Sequence, residues 1–307
     1  MIRYRRQLYR YGEAAEVYIY PVKETGRKGP RGKRRKPSKT CQARLNNLHR
    51  TARLTREIGA NFGEGDIFIT LTYKQQPGDY QRATKDIKNY FDRIKRAMKR
   101  AGLAGEFKAV WVSEQGSRSG RWHHHAIITG GLPWEELSRL WALGRVEISG
   151  LYETDTGRFD GLAGYMCKSS GAAAPADEDE DEQDGAAGKM QGGRIHRTKN
   201  IITPEPLEND FEISRRKAGR IAKELMQGDD AGEVLPKLAG YRVTETGTFY
   251  NDIDGHYYIK ILLKKAKKAK QKTGGGAKSV QVQRGAGKPN KSRSGGTKKA
   301  KKQQADS

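Results

Sequence analysis

The chain has 307 residues, enough for one or two domains with a buried core, and carries 60 Lys and Arg against 36 Asp and Glu, a net charge of +24. No apolar run approaches the ~18 residues of a membrane span, no apolar signal segment follows the basic start, and Cys41 and Cys167 are too few for a disulfide framework. We therefore exclude membrane, secreted and disulfide-rich proteins and expect a cytoplasmic protein that binds a polyanion.

The positive charge is concentrated at the two ends of the chain. Residues 1–39 carry 13 basic and 3 acidic side chains, residues 264–307 carry 15 and 1, and the part between them is neutral overall. This distribution predicts a basic N-terminal arm over 1–39 and a Lys-rich disordered tail over 264–307, which would raise the affinity for nucleic acid phosphates. A solvated tail that only aids solubility is the alternative.

Hydrophobic periodicity predicts an alternation of strands and helices along the chain. The predicted strands are 16–22, 66–73, 107–114, 122–128 and 146–151, with a hairpin over 241–263. The predicted helices are 40–59, 83–101, 133–143, 160–170 and 213–226. The pattern is typical of an α+β protein in which helices pack on an antiparallel sheet. Residues 171–193 are rich in Ala, Gly and acidic residues and predict a disordered linker.

Three adjacent histidines, His123 to His125, lie in one predicted strand. Side chains alternate in a strand, so His123 and His125 share a face and His124 points away. A short turn could bring Glu114 of the preceding strand beside this pair. Two imidazoles and one carboxylate leave open positions on a divalent ion, as a catalytic metal site requires. Structural histidines and an exposed carboxylate at a strand end are the alternatives.

The pattern Tyr-x-x-Lys occurs three times, at Tyr20/Lys23, Tyr165/Lys168 and Tyr257/Lys260. A spacing of three places two side chains on one side of a helix but on opposite faces of a strand. Only Tyr165 and Lys168 lie in a predicted helix, so they are the candidate pair. A buried structural tyrosine is the alternative for Tyr165.

Three segments, in this order, resemble the motifs of the HUH endonucleases, which are rolling-circle replication initiators. They are ITLTY (69–73), Glu114 with GRWHHHAII (120–128), and YMCK (165–168). The sequence is most similar to phage and plasmid replication-associated proteins, and segments 194–204 and 249–263 also resemble parts of that group. The sequence departs from the family at His124, where the motif has an apolar residue, and in having a single tyrosine in the third motif.

The resemblance implies a metal-dependent reaction on single-stranded or origin DNA. It implies that His123, His125 and Glu114 hold Mg²⁺ or Mn²⁺, and that Tyr165 attacks the phosphate to leave a 5′-phosphotyrosine and a free 3′-OH. Lys168 would either favour the phenolate or steady the phosphate.

DNA contacts near this site are expected at three further residues. By resemblance, Thr70, Thr72 and Arg121 lie beside the DNA, although structural roles are equally open to the two threonines. The tryptophans could stack on bases, but core packing is the simpler expectation for most of them.

The expected organisation is a HUH domain over 40–170, the linker over 171–193, and a C-terminal α/β subregion over 194–263. The function expected from the family is initiation of rolling-circle replication, with the host replication machinery and a separate helicase as partners and no membrane involved. A single-tyrosine transposase or relaxase, and a non-enzymatic nucleic-acid-binding protein with a structural metal, are the alternatives.

Overall fold

The fold is described by a computed structural model for residues 2–23, 40–103, 105–116, 119–152, 154–169, 194–228, 238 and 240–266. These residues form antiparallel sheets flanked by helices, so the predicted α+β class is confirmed. The helices are α1 (Thr40–Asn61), α2 (Tyr80–Arg100), α3 (Trp134–Leu140), α4 (Asp160–Ser169) and α5 (Arg215–Met226). The strands are β1 (Ile2–Tyr11), β2 (Ala14–Lys23), β3 (Ile67–Thr72), β4 (Ala109–Gln115), β5 (Trp122–Ile128), β6 (Val146–Gly150), β7 (Ile195–Arg197), β8 (Glu208–Ile213), β9 (Tyr241–Asn251) and β10 (His256–Lys265).

Five strands in the order β6-β3-β5-β4-β7 form one antiparallel sheet, which we call the central sheet. On one of its faces, Ile69, Leu71 and Trp111 pack against the apolar stripe of α2. The α2 helix begins where Asp79 accepts a hydrogen bond of 2.7 Å from the backbone N–H of Arg82.

The opposite face of the central sheet is covered by α1 and α4. Leu54 of α1 and Met166 of α4 are fully buried with Val110 and Val112 of β4. Strand alternation also places His123, His125 and Glu114 on this face. The α4 helix is thereby fixed next to the histidines.

The remaining strands form a second antiparallel sheet in the order β8-β1-β2-β10-β9, which we call the hairpin sheet. One face packs against α5, whose residues Ala218, Ile221 and Leu225 are buried at helical spacing.

Residues 2–23 differ from the predicted basic arm, because they are strands β1 and β2 of this sheet. The strand predicted over 16–22 is present, but β1 is not recognisable by composition. Its buried residues Tyr4 and Leu8 alternate with arginines, and Arg6 forms ion pairs of 3.1 and 2.7 Å with Glu208 and Asp210 of β8. The unexpected strand β8 is therefore held partly by cross-strand charge pairs.

Several expectations fall on parts of the chain outside the described residues. These are the rest of the arm (24–39), the acidic linker (171–193) and the tail from residue 267 onward. Residues 1–267 belong to one compact unit, and the domain boundaries proposed from the sequence stay predictions. None of the described helices has the length and apolar character needed to cross a membrane.

Candidate active site

The candidate site is built on β5, the middle strand of the central sheet. In the antiparallel register, His123 lies opposite Glu114 of β4, and His125 lies between Val112 and Thr70. Because side chains alternate along β5, the His123 and His125 rings lie on one face with their centroids 5.0 Å apart.

Glu114 connects the two imidazoles. Its Oε1 lies 2.9 Å from Nε2 of His123 and 3.4 Å from Nε2 of His125. The ligand atoms of the three residues lie within 4.8 Å of one another, and Glu114 and His125 are buried. The structure thus brings the three residues together as the sequence predicted.

The second ring nitrogen of each histidine has an oxygen partner, which orients the ring. Nδ1 of His123 lies 3.2 Å from the carbonyl oxygen of Arg121, which can only accept, so this Nδ1 carries a proton. Nδ1 of His125 lies 3.1 Å from Oγ1 of Thr70. Both rings therefore direct Nε2 toward Glu114, as expected for metal-binding histidines whose other nitrogen is fixed by an oxygen.

The electrostatics of the cluster favour its charged forms. Burial alone would lower the pKa of His123, but the hydrogen bonds to Glu114 and to the Arg121 carbonyl outweigh burial and raise it. Burial would raise the pKa of Glu114, but the hydrogen bonds from His123 and His125 outweigh burial and lower it. The site holds a carboxylate beside a histidine that gains a proton readily, and a cation can replace that proton.

Tyr165 lies on α4 with its hydroxyl at the cluster. The hydroxyl is 3.1 Å from Nε2 of His125, and the two rings meet edge to face with centroids 4.9 Å apart. The side chain is 48% exposed, so a ligand from solvent can reach it. Burial raises the pKa of Tyr165, and the negative charges of Glu114 and Glu147 raise it further. The phenol therefore stays protonated until positive charge arrives.

The other predicted residues lie around the cluster. Lys168 is exposed on α4, three residues after Tyr165. The hydroxyl of Thr72 donates to the carbonyl of Arg145 at 3.3 Å, and the Arg121 guanidinium donates to the carbonyl of Tyr73 at 2.7 Å. These observed bonds are structural, and DNA contacts by the same residues stay predictions.

His124 points to the opposite face of the sheet and is completely buried. Its ring lies 2.8 Å from the hydroxyl of Tyr73 and 2.7 Å from the hydroxyl of Ser113. Burial lowers the pKa of His124 to about 3, so the ring is neutral in the folded protein. The third histidine is a core residue, and the tryptophans Trp111, Trp122 and Trp141 are buried as well.

A buried ion network that the sequence did not predict lies at the start of α4. Arg158 is 2% exposed, donates to Asp160 at 2.7 Å, and lies 2.8 Å from the completely buried carboxylate of Glu16 in β2. The network fixes the helix that carries Tyr165 to the hairpin sheet. Glu16 and Arg158 are 142 positions apart in the chain, so no local pattern reveals the pair.

The donor set fits a divalent cation. Two imidazole nitrogens and one carboxylate oxygen converge from one side, and the half-exposed hydroxyl of Tyr165 lies next to them. Imidazole and carboxylate ligands suit Mn²⁺ and related divalent ions, and three protein ligands leave coordination positions free for a substrate.

Comparison with curated proteins gave no match, and neither did comparison with solved structures. A family comparison matched residues 66–170, which is about a third of the chain and spans β3 to α4 with every residue of the candidate site. This similarity supports a role in the initiation of replication, since the family that residues 66–170 resemble is described as replication-associated protein ORF2.

Proposed function

We propose that this protein is a metal-dependent endonuclease that nicks and rejoins single-stranded DNA through Tyr165, and that it thereby initiates rolling-circle replication of a phage, plasmid or integrated mobile element. The observation that carries the proposal is the 3.1 Å contact between the Tyr165 hydroxyl and Nε2 of His125, within a cluster suited to a divalent cation. The similarity of residues 66–170 to replication-associated proteins supports the replicative role.

In this proposal His123, His125 and Glu114 hold Mg²⁺ or Mn²⁺, which when bound supplies a Lewis acid for the scissile phosphate. The Tyr165 oxygen forms a bond to phosphorus while the bond from phosphorus to the 3′ oxygen breaks. The phenol loses its proton to solvent, to which the half-exposed side chain is open, and the departing 3′ oxygen takes one up. The products are a 5′-phosphotyrosyl protein and a free 3′-OH.

Lys168 adds positive charge beside the nucleophile. A free phenol has a pKa of about 10, and the carboxylates near Tyr165 raise it. The Lys168 ammonium lies one helical turn further on and counters this charge. The same charge attracts the DNA phosphate, for which Arg121 and the hydroxyls of Thr70 and Thr72 are further contacts.

Rejoining reverses the same step. The phosphotyrosyl ester conserves the energy of the phosphodiester bond, so a 3′-OH can displace Tyr165 without ATP. The free 3′-OH can prime the host polymerase. The sequence contains no P-loop motif, so strand separation is assigned to a separate helicase.

The test is covalent capture of DNA labelled at its 3′ end. The full-length protein is incubated with pooled single-stranded oligonucleotides and Mn²⁺ or Mg²⁺, and labelled protein is scored on a denaturing gel. We expect an adduct with the natural protein, its loss in Tyr165→Phe, and its loss in His123→Ala.

Tyr152→Phe is the matched control, because Tyr152 is a highly exposed tyrosine that follows β6. It should form the adduct normally. An adduct that persists in Tyr165→Phe would assign the nucleophile elsewhere, and failure of the natural protein to form any adduct while still binding DNA would favour the non-enzymatic alternative.

A further inference from the structure

A second feature with the chemistry of a nucleic-acid site lies on the hairpin sheet. A groove of about 920 Å³ separates α5 from the β9–β10 hairpin. Its lining includes Arg216, Arg220 and Lys223 on the helix side and Tyr250 and Tyr257 on the strand side. We call it the α5 groove.

The helix side of the α5 groove is a row of cations. Arg216, Arg220 and Lys223 follow one another at spacings of four and three, so they lie along one exposed side of α5. Only Glu224 among the lining residues is acidic, and it lies 3.7 Å from Arg220. The α5 groove therefore carries a net positive charge, which complements a polyanion.

The placement of these charges is unfavourable for the helix alone. The first turn of α5 contains Arg215, Arg216 and Lys217 and no acidic residue. Cations at this end oppose the helix dipole, which favours negative charge there. A local preference that is broken in this way commonly marks a functional surface.

The strand side of the α5 groove presents aromatic rings. Tyr250 is 45% exposed, and its ring centroid lies 4.8 Å from that of Tyr257. Unpaired bases stack on such rings, whereas paired bases in a duplex present their edges and phosphates. Rings opposite a row of cations match the two parts of a single strand, its bases and its phosphates.

We propose that the α5 groove binds single-stranded DNA, with phosphates on Arg216, Arg220 and Lys223 and a base on Tyr250. The groove lies on the hairpin sheet, whereas the Glu114–His123–His125 cluster lies on the central sheet. The proposal rests on the proposed function only for the choice of DNA as the ligand. It gives the protein a second hold on the strand that does not require the metal site.

The first experiment compares two variants with the same change in charge. Arg216, Arg220 and Lys223 are changed to Gln in the full-length Tyr165→Phe protein, and metal is omitted so that no cleavage occurs. The control changes Arg96, Lys99 and Arg100, which are exposed on α2, to Gln. Affinity for a labelled single-stranded oligonucleotide is measured by fluorescence anisotropy across a range of salt concentrations.

Each contact with a single-strand phosphate contributes about 0.7 to the slope of log K against log salt. The α5 variant should therefore flatten the slope by roughly 2, and the α2 control should change it much less. Equal slopes for the two variants would overturn the proposal. So would unchanged or tighter DNA binding in the α5 variant, which would indicate that the acidic segment 177–184 of the chain occupies the groove.

The second experiment tests the aromatic side. Tyr250→Ala should weaken binding of single-stranded DNA by about 5-fold or more, with little effect on a duplex of the same sequence. The control is Phe249→Ala, which removes the neighbouring ring on the opposite side of β9, 63% exposed. Equal losses in both variants, or equal losses for single strand and duplex, would overturn the proposal.

Nicking by the natural protein is scored separately from this binding. A protein that forms no DNA adduct but shows both α5 effects would refute the nuclease and keep the groove. The opposite pattern would refute the groove and keep the nuclease.

Discussion

His125 is oriented by a hydroxyl group that no sequence motif requires in that role. Oγ1 of Thr70 lies 3.1 Å from Nδ1 of His125. Thr70→Val keeps the shape of the side chain and removes this partner. We expect Mn²⁺ affinity, measured by calorimetry, to fall about 10- to 100-fold while the melting temperature changes little.

Thr72→Val is the matched control for Thr70→Val. Thr72 lies on the same strand and face, but its hydroxyl donates to the carbonyl of Arg145 instead of contacting a histidine. It should leave Mn²⁺ affinity within about twofold, since no partner of a metal-binding nitrogen is lost. Equal losses in the two variants would show that the hydroxyl of Thr70 does not position His125.

His124 is expected to matter for stability and not for metal binding. His124→Leu leaves the hydroxyls of Tyr73 and Ser113 buried without their observed partner. Each such group costs about 1–3 kcal/mol of unfolding free energy, which denaturant titration measures. Mn²⁺ affinity and adduct formation should be retained at a temperature where the variant is folded. Loss of metal binding in the folded variant would contradict the assignment of His124 to the other face.

At the scale of elements, α4 is fixed by charge as well as by packing. Arg158 and Glu16 are both almost completely buried, and the pair joins α4 to the hairpin sheet. Arg158→Met should cost about 3–5 kcal/mol of unfolding free energy, because it leaves the Glu16 carboxylate buried with weaker compensation. Arg139→Met, in an exposed pair with Glu136, should cost less than about 1 kcal/mol. Similar losses in the two variants would show that the buried pair has no special weight.

The elements with a regular apolar period could be predicted from the sequence, and those held by charge could not. The alternation in β3 and the helical stripe of α2 identify both elements correctly. Strands β1 and β8 were missed because arginines and carboxylates hide the period, and their pairing of Arg6 with Asp210 is visible only in the fold. The shared face of the two histidines followed from strand alternation alone. The Nδ1 partners did not, because they depend on where a carbonyl and a neighbouring strand lie.

At the scale of the whole molecule, net charge is divided between folded and terminal parts. The positive charge of residues 2–23 is partly used inside the hairpin sheet, where Arg6 pairs with carboxylates of β8. Residues 267–307 carry 13 basic side chains and 1 acidic one. That sequence has no apolar period, so we expect it to add affinity for DNA without base specificity.

Deletion of residues 267–307 tests this division, and the end of β10 at Lys265 sets where the chain is cut. If about half of the 13 cations contact single-strand phosphates, the slope of log K against log salt should flatten by roughly 4 to 5. Binding at low salt should weaken strongly for every oligonucleotide sequence alike. The preference among sequences and the rate of adduct formation at saturating DNA should stay the same, because the Glu114–His123–His125 cluster and Tyr165 are untouched. A slope that does not change after the deletion would show that these cations do not contact DNA, and the charge would then serve solubility.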